Sequence, residues 1–135
     1  MTARYTFYLA QSLRDAHEYK KAVHYYQQRA DMGGWAEERY VALLNAARIM
    51  HNLGTFPHEE VEFTLRQAHH LNPARVEAAA DLARLMHHAG RTEEALRLAQ
   101  RLKNQVPPEN SLFLEPAYYG AGMEKLIEAL SQSLT

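Results

Sequence analysis

Three features of this 135-residue chain raise the question of chemistry: eight histidines, doublets of glutamate, and one adjacent glycine pair. The histidines include the neighbours His69-His70 and His87-His88. Adjacent positions on a helix point about 100° apart, so such pairs close poorly on one ion. No two histidines stand three or four residues apart, the spacing that would place both on one helix face. Gly33-Gly34 lies in "ADMGGWAEERY" beside Trp35, the only tryptophan. A Walker loop needs a following lysine and Ser/Thr, and a dinucleotide loop needs a third glycine after a strand; neither is present. The pair reads instead as a left-handed turn that ends a helix. Nucleophilic catalysis has little to work with. Cysteine is absent, and the serines are Ser12, Ser111, Ser131 and Ser133. Glu59-Glu60 and Glu93-Glu94 fall where helices start, and there negative charge favours the helix dipole. The expectation is therefore no catalytic residue, no cofactor and no metal.

Bulk composition sets further bounds. A formal net charge of −1 gives none of the basic excess that drives non-specific nucleic-acid binding. Apolar residues at 47% and charged residues at 23% are those of a globular chain with one sizeable core. No apolar run approaches the roughly 20 residues of a membrane span, and the N-terminus lacks a signal-peptide core. The lack of cysteine fits a cytoplasmic location.

The candidate residues must be positioned by helices, because no stretch shows the alternation of a strand. Apolar residues recur at helical spacing: Phe7, Leu9, Ala10 and Leu13; Leu43, Ala46, Ala47 and Met50; Ala79, Leu82, Ala83 and Met86. Breaks at Gly33-Gly34, Gly54 to Pro57, Asn72-Pro73, Gly90 and Pro107-Pro108 separate them. This predicts helices over about 3–16, 19–31, 36–52, 58–71, 75–89, 92–105 and 121–134.

The helices repeat. "LGTFPHEEVEFTLRQAHHLNP" (53–73) and "AGRTEEALRLAQRLKNQVP" (89–107) each run from a small residue and a glycine through two glutamates and a helix to a proline. Pro73 and Pro107 lie about one 34-residue period apart. "AHEYKKAVHYY" (16–26) repeats the turn and second helix, with Ala22 in the place of Ala95. The pattern resembles the tetratricopeptide repeat (TPR). It implies an all-α fold of three antiparallel helix pairs in a right-handed solenoid, with a C-terminal capping helix. One TPR domain over 1–135 is expected, with repeats at about 3–35, 36–73 and 74–107 and a C-terminal segment over 108–135. Ala10, Ala47 and Ala83 are then the small residues of the first helices, and Ala22, Val61 and Ala95 those of the second. Trp35 is expected to anchor repeats one and two. Met123, Leu126, Ile127, Leu130 and Leu134 form the stripe of the capping helix, which also offers a homodimer contact.

A narrower resemblance lies in "RYTFYLAQSLRDAHEYKKAVHYYQQRADMGGWAEERY" (4–40). It is similar to the TPR region that follows the catalytic domain of bacterial family 2 glycosyltransferases, through "FYLAQS", Arg14-Asp15, Arg29, "MGGW" and Glu37-Glu38. "NSLFLEPAYY" (110–119) resembles the segment after the third repeat of that family. Arg29 departs from the generic repeat and fits this narrower pattern. The metal-holding Asp-x-Asp of such enzymes is missing, since the aspartates are Asp15, Asp31 and Asp81. The resemblance therefore implies a non-catalytic scaffold, with a transferase domain in cis as a partner.

In a TPR array the first helices line the concave face. The repeat register puts Arg4, Tyr8, Gln11, Asn45, Arg48, Asp81, Arg84 and His87 there, as a groove for a protein or peptide. The arginines can grip carboxylates in a fork, or can simply be solvated or paired within a repeat. Asn45 matches one asparagine of the chaperone-tail clamp, but Glu77 and Asp81 fall where that clamp is basic. A free-standing adaptor that binds a peptide is the alternative.

Overall fold

A computed structural model describes all residues from Met1 to Thr135. It is all-helical: α1 (Ala3–Asp15), α2 (Tyr19–Asp31), α3 (Ala36–Leu53), α4 (His58–Leu71), α5 (Glu77–His88), α6 (Thr92–Arg101) and α7 (Ala121–Gln132), with a short 3-10 turn at Pro116–Tyr118. None of the helices is long and apolar enough to cross a membrane. The chain divides into two compact units, Met1–Asn72 and Pro73–Thr135.

The first unit holds two helix pairs, α1 with α2 and α3 with α4, and α2 also packs on α3. The small residues sit where close approach requires them. Ala10, Ala22, Ala46, Ala47 and Ala68 are buried, with Phe7, Tyr26, Tyr40 and Met50 filling the space around them. Val61 is accommodated in the same core despite its larger side chain. Helix starts follow local rules. Thr2 caps α1 through a hydrogen bond from the Tyr5 N–H at 3.1 Å, and acidic pairs open α3 and α4.

The turn between α2 and α3 is held by charge. Arg29 and Glu38 are almost wholly buried and form an ion pair, and Arg29 Nη1 donates to the Gly33 carbonyl at 2.7 Å. Gly33 and Gly34 both have positive φ, 75° and 84°, which only glycine adopts freely in succession. Arg39 donates to the Ala30 carbonyl at 2.8 Å, and Asn72 to Glu37 at 2.7 Å. The motif "MGGWAEE" with its upstream arginine is thus a clasp whose parts hold one another. Trp35 takes no part in it. The expected anchor is 48% exposed, at the extended residue before α3. The interior beside this turn is already filled by the Arg29–Glu38 pair and by Tyr40, and the indole is left outside.

The second unit pairs α5 with α6 and packs α7 on α6, with a lesser contact to α5. Met123, Leu126 and Leu130 of the predicted stripe are buried, Ile127 is half-buried and Leu134 is exposed. Three boundaries differ from expectation, and one of them is the end of α7, at Gln132 rather than near 134. Helix α5 starts at Glu77 rather than near 75, because Arg75 and Glu77 are drawn into contacts with the segment after α6. Helix α6 ends at Arg101 rather than near 105, and Asn104 turns the chain with a φ of 115°.

Candidate binding surface

Within the first unit, two of the expected groove residues, Gln11 and Asn45, meet at one tyrosine. Tyr26 rises from α2 with its ring fully buried, edge-on to Phe7 at 6.1 Å. Its hydroxyl donates to Gln11 Oε1 on α1 at 3.0 Å and accepts from Asn45 Nδ2 on α3 at 3.4 Å. Burial pushes the phenol up from its usual 10; the Arg14 charge and the Asn45 hydrogen bond pull it down less, and Asp15 adds to the rise. Tyr26 is therefore a neutral hydroxyl at physiological pH, and it fixes both amide side chains.

On α1 the neighbours on this stripe are exposed. Tyr8, three residues before Gln11, is 55% exposed, and Arg4, one further turn back, is also exposed. Arg48, three residues after Asn45, is half-buried. Helices α1 and α3 thus present an aromatic ring, two amides and two guanidiniums around a fixed polar centre. Such a surface can hydrogen-bond a peptide and pair with carboxylates.

Within the second unit, the expected residues are engaged by the chain itself. Asp81 Oδ1 accepts from Tyr118 at 3.0 Å and from Arg84 Nη1 at 3.4 Å. The Arg84 guanidinium lies 5.3 Å from the centre of the Tyr118 ring. His87 Nδ1 meets Thr92 Oγ1 at 2.8 Å and links the end of α5 to the start of α6. Pairing within the repeat is thus what the structure displays for Asp81 and Arg84. Glu77 is not a groove acid at all. It is fully buried against Arg75 and receives the N–H of Glu115 and the hydroxyl of Tyr119.

The roles of Tyr26 and Tyr118 are missing from the sequence reading. Tyr26 falls on a second helix, which the register assigns to packing. Tyr118 falls in "NSLFLEPAYY", where family likeness alone drew notice. No group of three or more histidine, aspartate or glutamate side chains converges on a point where an ion would sit.

Comparison with known proteins bears on the fold. The tetratricopeptide repeat family matches residues 58–113, from the start of α4 into the segment after α6. No curated protein matches the chain. Eleven chains of solved structures do. Among them is the Hsp90 co-chaperone Cns1 from Saccharomyces cerevisiae (delta69), at 15% identity and a TM-score of 0.73, over 98% of this chain and 39% of that one. The chain therefore spans well under half of that structure. At such identity the likeness is one of fold, and the fold it establishes is an all-helical, tetratricopeptide-like one.

Proposed function

We propose that this chain is a non-catalytic, cytoplasmic protein-binding scaffold, the TPR region of a glycosyltransferase-like protein, with its contact surface on α1 and α3. The observation that carries the reading is the convergence of Gln11 and Asn45 on the Tyr26 hydroxyl beside the exposed Tyr8. Polar side chains held in place before a partner arrives lose little entropy on binding. The transferase context is supported by the resemblance of residues 4–40 and 110–119. In that context the chain works as one repeat domain, with a catalytic domain in cis, and α7 also serves self-association.

The second reading is a free-standing adaptor, favoured by the structural likeness to a co-chaperone over nearly the whole chain. Both readings place the partner in the same groove. A photo-crosslinking residue at Tyr8 or Asn45 should capture the partner, and the same residue at the exposed Phe63 of α4 should not. Arg48→Glu should weaken capture. Equal capture from all three positions, or capture indifferent to Arg48→Glu, would remove the groove from both readings. A family 2 transferase domain encoded in the same gene decides between them.

A further inference from the structure

We propose that Asp81 and Arg84 on α5 form a subsite for the phenol of a tyrosine. In the isolated chain Tyr118 fills it, and a tyrosine on a loop of a partner protein replaces Tyr118 there. Tyr118 meets the subsite through both halves of its side chain. Its hydroxyl donates to Asp81 Oδ1 at 3.0 Å, and the Arg84 guanidinium lies 5.3 Å from the ring centre. Arg84 Nη1 also donates to Asp81 Oδ1 at 3.4 Å from one turn along the helix, so the two residues hold each other in position.

The chemistry is selective. A carboxylate accepts an O–H, and a guanidinium favours the face of a ring. Phenylalanine brings the ring without the donor, and serine brings the donor without the ring. A phosphorylated tyrosine loses its hydroxyl and sets its own charge against Asp81. Tyrosine supplies both contacts, at the spacing that Tyr118 displays.

Tyr118 is the replaceable part of its segment, because the course of that segment is fixed by other residues. Arg75 donates to the Leu112 carbonyl at 2.8 Å, and Glu77 accepts from the Glu115 N–H at 3.1 Å. The Tyr119 hydroxyl donates to Glu77 Oε1 at 2.9 Å and accepts from the Val76 N–H at 3.3 Å. Arg75, Glu77 and Tyr119 are all buried. Tyr118 is only half-buried; Pro116, Ala117 and Gly120 around it are exposed, and the Arg84 side chain is 47% exposed. Turning the Tyr118 side chain outward uncovers Asp81 and Arg84 while the buried anchor stays closed. An internal occupant of this kind lowers the apparent affinity for an external one by the fraction of time the subsite is open. The subsite lies on α5 and does not depend on the α1 and α3 surface proposed above.

The test titrates N-acetyl-tyrosinamide into the intact, isotope-labelled chain and follows the Arg84 Nε–Hε resonance by NMR. Tyr118→Ala should bind this probe saturably. The parent chain should bind it more weakly by about tenfold or more, because its own phenol competes. Tyr118→Phe, which keeps the ring and lacks the hydroxyl, should fall between the two. N-acetyl-phenylalaninamide should bind Tyr118→Ala several-fold more weakly than the tyrosine probe, and adding Asp81→Ala should erase that preference. Helical circular dichroism checks the fold of each variant; if Tyr118→Ala loses it, Tyr118→Phe against the parent carries the same comparison. An Arg84 resonance that ignores the probe up to its solubility limit, in a folded variant, overturns the subsite. Equal binding by the variant and the parent overturns its occupation by Tyr118. Either failure leaves partner capture at Tyr8 untouched, so the two readings fail separately.

Discussion

Arg75 and Glu77, two residues apart where α5 begins, form an ion pair in which both side chains are completely buried, with Nη2 2.7 Å from Oε2. The pair holds down the segment that follows α6. Arg75 donates to the Leu112 carbonyl at 2.8 Å; Glu77 accepts from the Glu115 N–H at 3.1 Å and from Tyr119 at 2.9 Å. A buried ion pair withstands its desolvation cost only where further hydrogen bonds satisfy both members, and these do. The segment so held carries Tyr118 onto Asp81 and Arg84.

Removing one member of that pair should be severe. Arg75→Met leaves the Glu77 carboxylate buried without its cation, and should destabilise the chain by about 3–5 kcal/mol. Urea unfolding measures this directly. A loss below about 1 kcal/mol would mean that the pair is solvated in solution.

Acid should weaken the same anchor. Burial by itself pushes the Glu77 carboxyl up, but the Arg75 guanidinium and the Glu115 N–H outweigh it and hold the group below its ordinary 4.5. A depressed folded-state value means that the ionised form stabilises the fold. The contribution is present above about pH 4.5 and is lost as pH falls through the lower folded value. Unfolding free energy measured from pH 7 downward should decline in that acid range. The decline should be shallower in Glu77→Gln, which begins lower because its neutral amide cannot replace the carboxylate. Parallel curves for the two proteins would contradict the assignment.

Trp35 gives a spectroscopic test of the α2–α3 turn. As the only tryptophan, and 48% exposed, it should emit close to free tryptophan in water and be quenched readily by acrylamide. Trp35→Ala should cost under about 1 kcal/mol, as surface substitutions usually do. A blue-shifted, protected emission would put the indole back at the interface between repeats.

Trp35 also shows where sequence reading stops. The helices were legible because their signals are local: alanines and large apolar residues at helical spacing, with glycine and proline between them. Six helix starts, at Ala3, Tyr19, Ala36, His58, Thr92 and Ala121, fall where periodicity and breaks predict. The late start of α5 was not legible, because it depends on Leu112, 37 residues beyond Arg75. The bulk of Trp35 suggested an interior anchor. The interior was already taken by Arg29, a residue that ordinarily stays outside and that the generic repeat does not place there. Of the candidate surface, Tyr8, Gln11 and Asn45 follow from repeat register alone. The hydroxyl of Tyr26 that joins two of them is 15 residues from one and 19 from the other, contacts that exist only once the helices pack.

Gly122 tests that packing at its tightest point. It lies in the first turn of α7, and a Cβ added there would sit 1.7 Å from the carbonyl oxygen of Ala117 and 2.9 Å from its carbon. Both atoms belong to backbone next to Tyr118 and Tyr119, so no flexible side chain can move aside. Helix propensity alone favours alanine over glycine inside a helix, by up to about 1 kcal/mol. The clash should reverse that sign, and Gly122→Ala should lower stability by about 1–3 kcal/mol, the usual cost of overpacking. Because the strain falls on the 3-10 turn that carries Tyr118, near-ultraviolet circular dichroism should change while the helical signal is retained. A variant as stable as the parent would show that α7 and the 3-10 turn stand further apart than the Gly122–Ala117 contact requires.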